Sequence, residues 1–123
     1  MRYHNPSEKG IATMNKFHWK EPDIPWRTLM PGVYIKTLRH VENKFAIHML
    51  KVEAGITEAP ETHDADQYAY VLRGKAESHI GDERVLIGPG DYFEIPANTK
   101  HSVRVLEDVE LVAMITPPRK ELV

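Results

Sequence analysis

The sequence predicts an all-β fold, a small barrel made of two antiparallel sheets packed face to face. Apolar or small side chains recur at every second position at Val33, Ile35 and Thr37; Phe45, Ile47 and Met49; Ala69 and Val71; Ala76, Ser78 and Ile80; and Val85 and Ile87. That is the period of strands with one buried face. Turn signals at Ala54-Gly55, Arg73-Gly74, Gly81-Asp82, Gly88-Pro89-Gly90 and Pro96-Ala97-Asn98 bound these runs and leave no room for helices between them. A closed double-sheet barrel buries many short strands without leaving open edges.

The elements follow in chain order. Residues 1–25 carry Pro6, Pro22 and Pro25 without a steady hydrophobic period and are predicted to form an irregular lead-in, with the barrel domain spanning 26–123. Trp26 and Leu29 precede the Pro31-Gly32 turn, which delivers the chain into the first long strand at Val33. Strands are predicted around each of the alternating sets. Ser102 to Ile115 is expected to form two strands around Glu107-Asp108, stopped by Pro117-Pro118-Arg119. His48 and His79 are expected as ordinary, partly exposed strand residues, and Tyr68 and Tyr70 between the sheets or at a dimer face. Tyr92 and Phe93 are expected in the core, and Asp91 in a structural turn role.

Composition narrows the function. The 123 residues suit one domain, and 41% hydrophobic with 28% charged residues is ordinary for a chain that folds. Sixteen basic against eighteen acidic residues give a net charge of −2, with no run of like charge to form an arm for nucleic acid. No stretch approaches the roughly 20 apolar residues of a membrane span, and Met1 to Gly10 is polar. A cytoplasmic protein with no membrane or nucleic-acid partner is expected. The absence of cysteine removes disulfides, thiolate nucleophiles and sulfur-ligated zinc, so a metal has to be held by His, carboxylate or amide groups.

Two segments place polar side chains where a strand should be burying apolar ones. In Gly55 to Gly74, GITEAPETHDADQYAYVLRG, Glu61 and His63 stand two apart and share a face if the segment is extended. Gln67 has the parity of Ala69 and Val71 and points inward with them. In Gly90 to His101, GDYFEIPANTKH, a strand ends at Pro96 and a turn presents His101 with the parity of Val103 and Val105. An imidazole on that face loses its hydrogen bonds unless it is partnered. A divalent cation held by Glu61, His63, Gln67 and His101 satisfies all four groups and leaves positions open. Gln67 fits equally as a ligand or as a hydrogen-bonding support behind His63. Arg104 has the opposite parity from His101, and no other cation is assigned to an anionic substrate.

The spacing Glu61-x-His63-xxx-Gln67-xxxxxx-Gly74, followed by Gly90-xxxxx-Pro96 and His101, resembles the two motifs of the cupin superfamily, supported by Tyr70-Val71-Leu72-Arg73-Gly74 and Ile95-Pro96. The resemblance implies a double-stranded β-helix (jelly-roll) barrel and a divalent transition metal such as Zn, Ni, Mn or Fe. Glu61 occupies the place of the family's first His, and Gln67 the place of its Glu. Within the superfamily, Pro25-Trp26-xx-Leu29-xx-Gly32-Val33-xx-Lys36, Gln67 to Gly74, and Pro117-Pro118-Arg119-xx-Leu122 resemble KdgF-like cupins of uronate breakdown. Those proteins carry two His before the Gln and one more residue in between.

These features together predict a metal-dependent enzyme on a small polar substrate, with linearisation or tautomerisation of an unsaturated uronate implied by the resemblance. Two alternatives share the apparatus. One is an iron-dependent dioxygenase, since two His and a carboxylate leave positions for oxygen. The other is a non-catalytic cupin that binds a small ligand. A homodimer is expected, with the lead-in available to cross to a partner.

Overall fold

The computed structural model describes residues 16–123, so residues 1–15 of the expected lead-in lie outside the described residues. Eight strands follow one another: β1 (Arg27–Met30), β2 (Val33–Val41), β3 (Phe45–Val52), β4 (Thr57–Glu61), β5 (Asp66–Ile80), β6 (Glu83–Ile87), β7 (Tyr92–Ile95) and β8 (His101–Thr116). All pairings are antiparallel. The two long strands, β5 and β8, pair along their whole length and organise two layers. Their Asp66 to Val71 and Leu111 to Thr116 halves carry β3, β2 and β1 on one side and β7 on the other, while their other halves carry β4 and β6. This is the all-β double-sheet barrel that the alternating pattern predicts and the jelly-roll that the resemblance implies.

The length of β5 and β8 corrects two expected boundaries. Arg73-Gly74 does not end a strand, and Glu107-Asp108 does not divide the last segment; both lie where the β5–β8 ladder shifts register between Val71 and Ala76. Gly74 has φ +90°, and a Cβ there would overlap the Asp108 carbonyl and the Val109 Cα. Asp108 in turn accepts a hydrogen bond from the Ala54 N–H at 2.8 Å. Glycine here permits a bulge and a close backbone approach inside a strand, which in sequence looks like a turn.

The interior is apolar where β5 and β8 face each other. Ala69, Val71, Ala76, Ile87, Val105, Val109, Leu111 and Ala113 form one cluster, with Phe93 packed against it. Ile35, Ala65, Ile115 and Leu122 form a second beside Leu29. Tyr92, expected in the core, is instead 56% exposed.

On β3 the inward residues are Ala46, His48, Leu50 and Val52, opposite Ile115, Ala113, Leu111 and Val109, so the set Phe45, Ile47 and Met49 belongs to the outer face. Both faces of this strand are partly covered, which is why its apolar period does not identify the inner one. Outside, Lys36, only 3% exposed, pairs with Glu21 at 2.7 Å, and Trp26 lies 4.6 Å from the ammonium groups of both Lys36 and Lys51. Trp19 also donates to the Leu38 carbonyl at 2.8 Å.

His48 is therefore not a partly exposed strand residue but is fully buried. Its Nδ1 lies 3.0 Å from the Thr37 hydroxyl, which accepts a hydrogen bond from Arg27 at 3.1 Å. Burial, then the charges of Arg27 and His40, lower its pKa to about 4. As pH falls, the unfolded chain takes up this proton near its ordinary value of about 6.5, before the folded chain does, so stability present above that pH is lost on the way down to 4. Denaturant unfolding should show a loss on the order of 3 kcal/mol across that window that His48→Gln lacks. Equal pH slopes in the two proteins would refute a neutral buried imidazole.

Candidate metal centre

The β4–β5 connection and the start of β8 come together at one end of the barrel. Glu61, the last residue of β4, pairs in register with His101, the first residue of β8. His63 lies in the connection between β4 and β5. The Asn98 N–H donates to the His63 carbonyl at 2.7 Å, and the Ala97 N–H donates to Asp66 Oδ1 at 2.7 Å. These bonds tie the β7–β8 turn to the β4–β5 connection, with Asn98 in the left-handed region at φ 64°. Pro96-Ala97-Asn98 is thus the tether that holds the two histidines side by side.

The two rings meet edge to face, their centroids 4.7 Å apart with 66° between planes. His63 Nδ1 is 3.0 Å from the Ala65 carbonyl oxygen and His101 Nδ1 is 2.9 Å from that of Thr99. A carbonyl only accepts, so each Nδ1 carries the proton, and in a neutral ring Nε2 presents a bare lone pair. Burial first, then the charge of Arg119, lowers the His63 pKa and favours that neutral ring. His63 Nε2 is buried without a hydrogen-bond partner, and His101 Nε2 lies 3.6 Å from Glu61 Oε1, whose side chain is half exposed.

Gln67 pairs with Ile95 and Ile115, both buried, and so faces the same interior, but it makes no hydrogen bond to the other three. Of the four predicted residues, Glu61, His63 and His101 are thus brought together, and Gln67 is brought only to their side of the barrel. Among the described residues, no three His, Asp or Glu side chains already close around a single point. The donor chemistry nonetheless fits a divalent cation: two imidazole nitrogens oriented by backbone carbonyls, one of them orphaned, beside a carboxylate.

Two further charged groups belong to this end, and sequence reasoning missed both. Glu58, on β4, pairs with Val103 of β8, and the register shift between Glu58 and Glu61 returns both to the inner face although they are three apart. Burial, then the Glu61 carboxylate, raises the Glu58 pKa, while His101 and Arg119 act against that rise. Arg119, just past the last strand, supplies positive potential to both His63 and Glu58. Its Nε and Nη2 donate to Glu121 Oε1 at 2.8 and 2.7 Å. Its only advance signal was its place in the Pro117-Pro118-Arg119 ending.

Comparisons with known proteins agree with this architecture. An uncharacterized protein of Streptomyces coelicolor, SCO3923, is 26% identical over 93 residues, 75% of this chain and 87% of that one. The structure of KdgF from Halomonas sp. superposes with a TM-score of 0.79 at 25% identity, covering 89% of this chain and all of that one. An RmlC-like cupin from Shewanella frigidimarina superposes at 0.80 with 16% identity over 89% of this chain and 97% of that one. No helix among the described residues is long and apolar enough to cross a membrane. The family model for the cupin domain matches residues 48–116, from the buried His48 to the end of β8 and through every residue of the histidine cluster, so this chain belongs to the cupin family.

Proposed function

We propose that His63, His101 and Glu61, with Gln67 as a fourth ligand or as support for His63, hold a divalent transition metal in an enzyme that linearises or tautomerises an unsaturated uronate. The observation that carries the metal reading is the pair of imidazoles whose Nδ1–H groups are committed to the Ala65 and Thr99 carbonyls, with His63 Nε2 buried and unpartnered. The structural likeness to KdgF over 89% of this chain, together with the resemblance of Pro25 to Lys36 and Pro117 to Leu122 to KdgF-like cupins, supports the uronate class.

A bound divalent cation supplies a Lewis acid for a carbonyl or hydroxyl oxygen. The chain's own residues divide the remaining work. Arg119 offers a guanidinium fork to the substrate carboxylate, exchanging its bond with Glu121 for one with the ligand. Glu58, whose pKa is shifted upward by burial and by the Glu61 carboxylate, is the carboxyl group of this end assigned to exchange a proton with the substrate.

Protein reconstituted with Ni, Zn, Mn or Fe should remove the ultraviolet absorbance of an unsaturated galacturonate faster than the spontaneous rate. Arg119→Ala should raise KM about tenfold or more, the loss of one charge-assisted contact, with metal content unchanged. Absorbance decay at the spontaneous rate with all four metals would remove the substrate assignment. Ligand binding without turnover, indifferent to chelator, would instead mark a non-catalytic binder.

A further inference from the structure

The chain leaves β8 at Thr116, passes Pro117-Pro118 and closes a single turn in which the Leu122 N–H donates to the Arg119 carbonyl at 3.0 Å. Two contacts seat this turn. The Leu122 side chain is buried in the cluster of Ile35, Ala65 and Ile115, and the Leu122 carbonyl accepts a hydrogen bond from Arg27 Nη2 at 2.8 Å. Arg27 lies on β1, 95 residues earlier in the chain. Its guanidinium makes no ion pair among the described residues; the same Nη2 donates to the Thr37 hydroxyl. Ala65 connects the seat to the metal end, since its carbonyl holds His63 Nδ1 and its side chain belongs to the cluster that receives Leu122.

A single turn has too few hydrogen bonds of its own to persist unanchored, and a bond from a charged donor to a carbonyl is a strong anchor. We propose that Arg27 is a positioning residue: through the Leu122 carbonyl it seats the C-terminal turn and so holds the Arg119 guanidinium at the metal end of the barrel. Its consequence for turnover rests on the reading of Arg119 as the group that takes the substrate carboxylate; the seating itself does not.

Arg27→Met keeps an aliphatic stem and removes the donors. In metal-loaded protein it should raise the KM for the unsaturated uronate about fivefold with kcat within roughly twofold, because only molecules with the turn seated offer Arg119. Carboxypeptidase should release Leu122 about tenfold faster than from the parent chain, since release follows the population of the open turn. Arg27→Lys, which keeps a charged donor, should recover most of both effects. Thr37→Val breaks the other bond of Arg27 and should leave both at parent values. A chain ending at Glu121 should show the same rise in KM, and Arg27→Met should add nothing to it. Parent-like release from Arg27→Met, faster release with an unchanged KM, or a parent-like KM in the chain ending at Glu121 would overturn the proposal. So would equal effects of Arg27→Met and Thr37→Val. A parent chain inactive on the uronate would end the substrate reading instead, and the release rates would still decide whether Arg27 seats the turn.

Discussion

Purified His101→Ala should bind Zn or Ni on the order of a hundredfold or more weaker than the parent chain, while unfolding at nearly the same denaturant concentration. His101 contributes one of the two oriented nitrogens, and its loss leaves the unpartnered His63 Nε2 without its neighbouring imidazole. His63→Ala should be as severe, whereas Gln67→Ala should cost less, because the Gln67 amide reaches the same interior without contacting the other three. Thr99 and Ala65 act through their backbone carbonyls, so side-chain changes there should leave metal affinity nearly intact. Titration with a chromophoric metal competitor gives all of these affinities. Equal affinity in parent and His101→Ala would exclude His101 from the site.

Of the glycine-to-alanine changes among the described residues, Gly74→Ala should be the most damaging. The residue lies at φ +90°, a conformation that costs a residue bearing a Cβ on the order of 1–3 kcal/mol. The new Cβ would also overlap the Asp108 carbonyl, which is backbone and can yield only by opening the β5–β8 ladder. A total of about 3 kcal/mol or more, and a fall in Tm of about 10 °C or more, is expected from thermal unfolding. Gly55→Ala is the control: it has nearly the same φ, +91°, with nothing near the added carbon, so it should show the conformational part alone. Equal losses at the two positions would mean that the close approach to Asp108 contributes nothing.

Gly74 also marks where the sequence misleads about the fold. Alternation identifies strands well where one face is buried and the other wet, as at Ala69 and Val71 or Val103 and Val105. It cannot distinguish a glycine that turns the chain from one that lets two strands touch, because both need a positive φ. On β3 the period is present but its phase is not, since the lead-in covers part of the outer face and the inner one admits His48. The candidate site divides in the same way. His63 and His101 were legible because an imidazole on an inward parity needs a partner. Glu58 was not, because the register shift between it and Glu61 breaks the rule that residues three apart on a strand face opposite ways. Arg119 lies past the last strand, where periodicity says nothing about what a side chain approaches.

The central claim is that the Nε2 atoms of His63 and His101 bind one divalent cation, and imidazole 15N resonances during a zinc titration test it most directly. One equivalent should shift Nε2 of both residues together, leave their Nδ1 atoms protonated on the Ala65 and Thr99 carbonyls, and leave His48 unmoved. Zinc that shifts neither ring, or that reaches Nδ1 by breaking those carbonyl bonds, would contradict it.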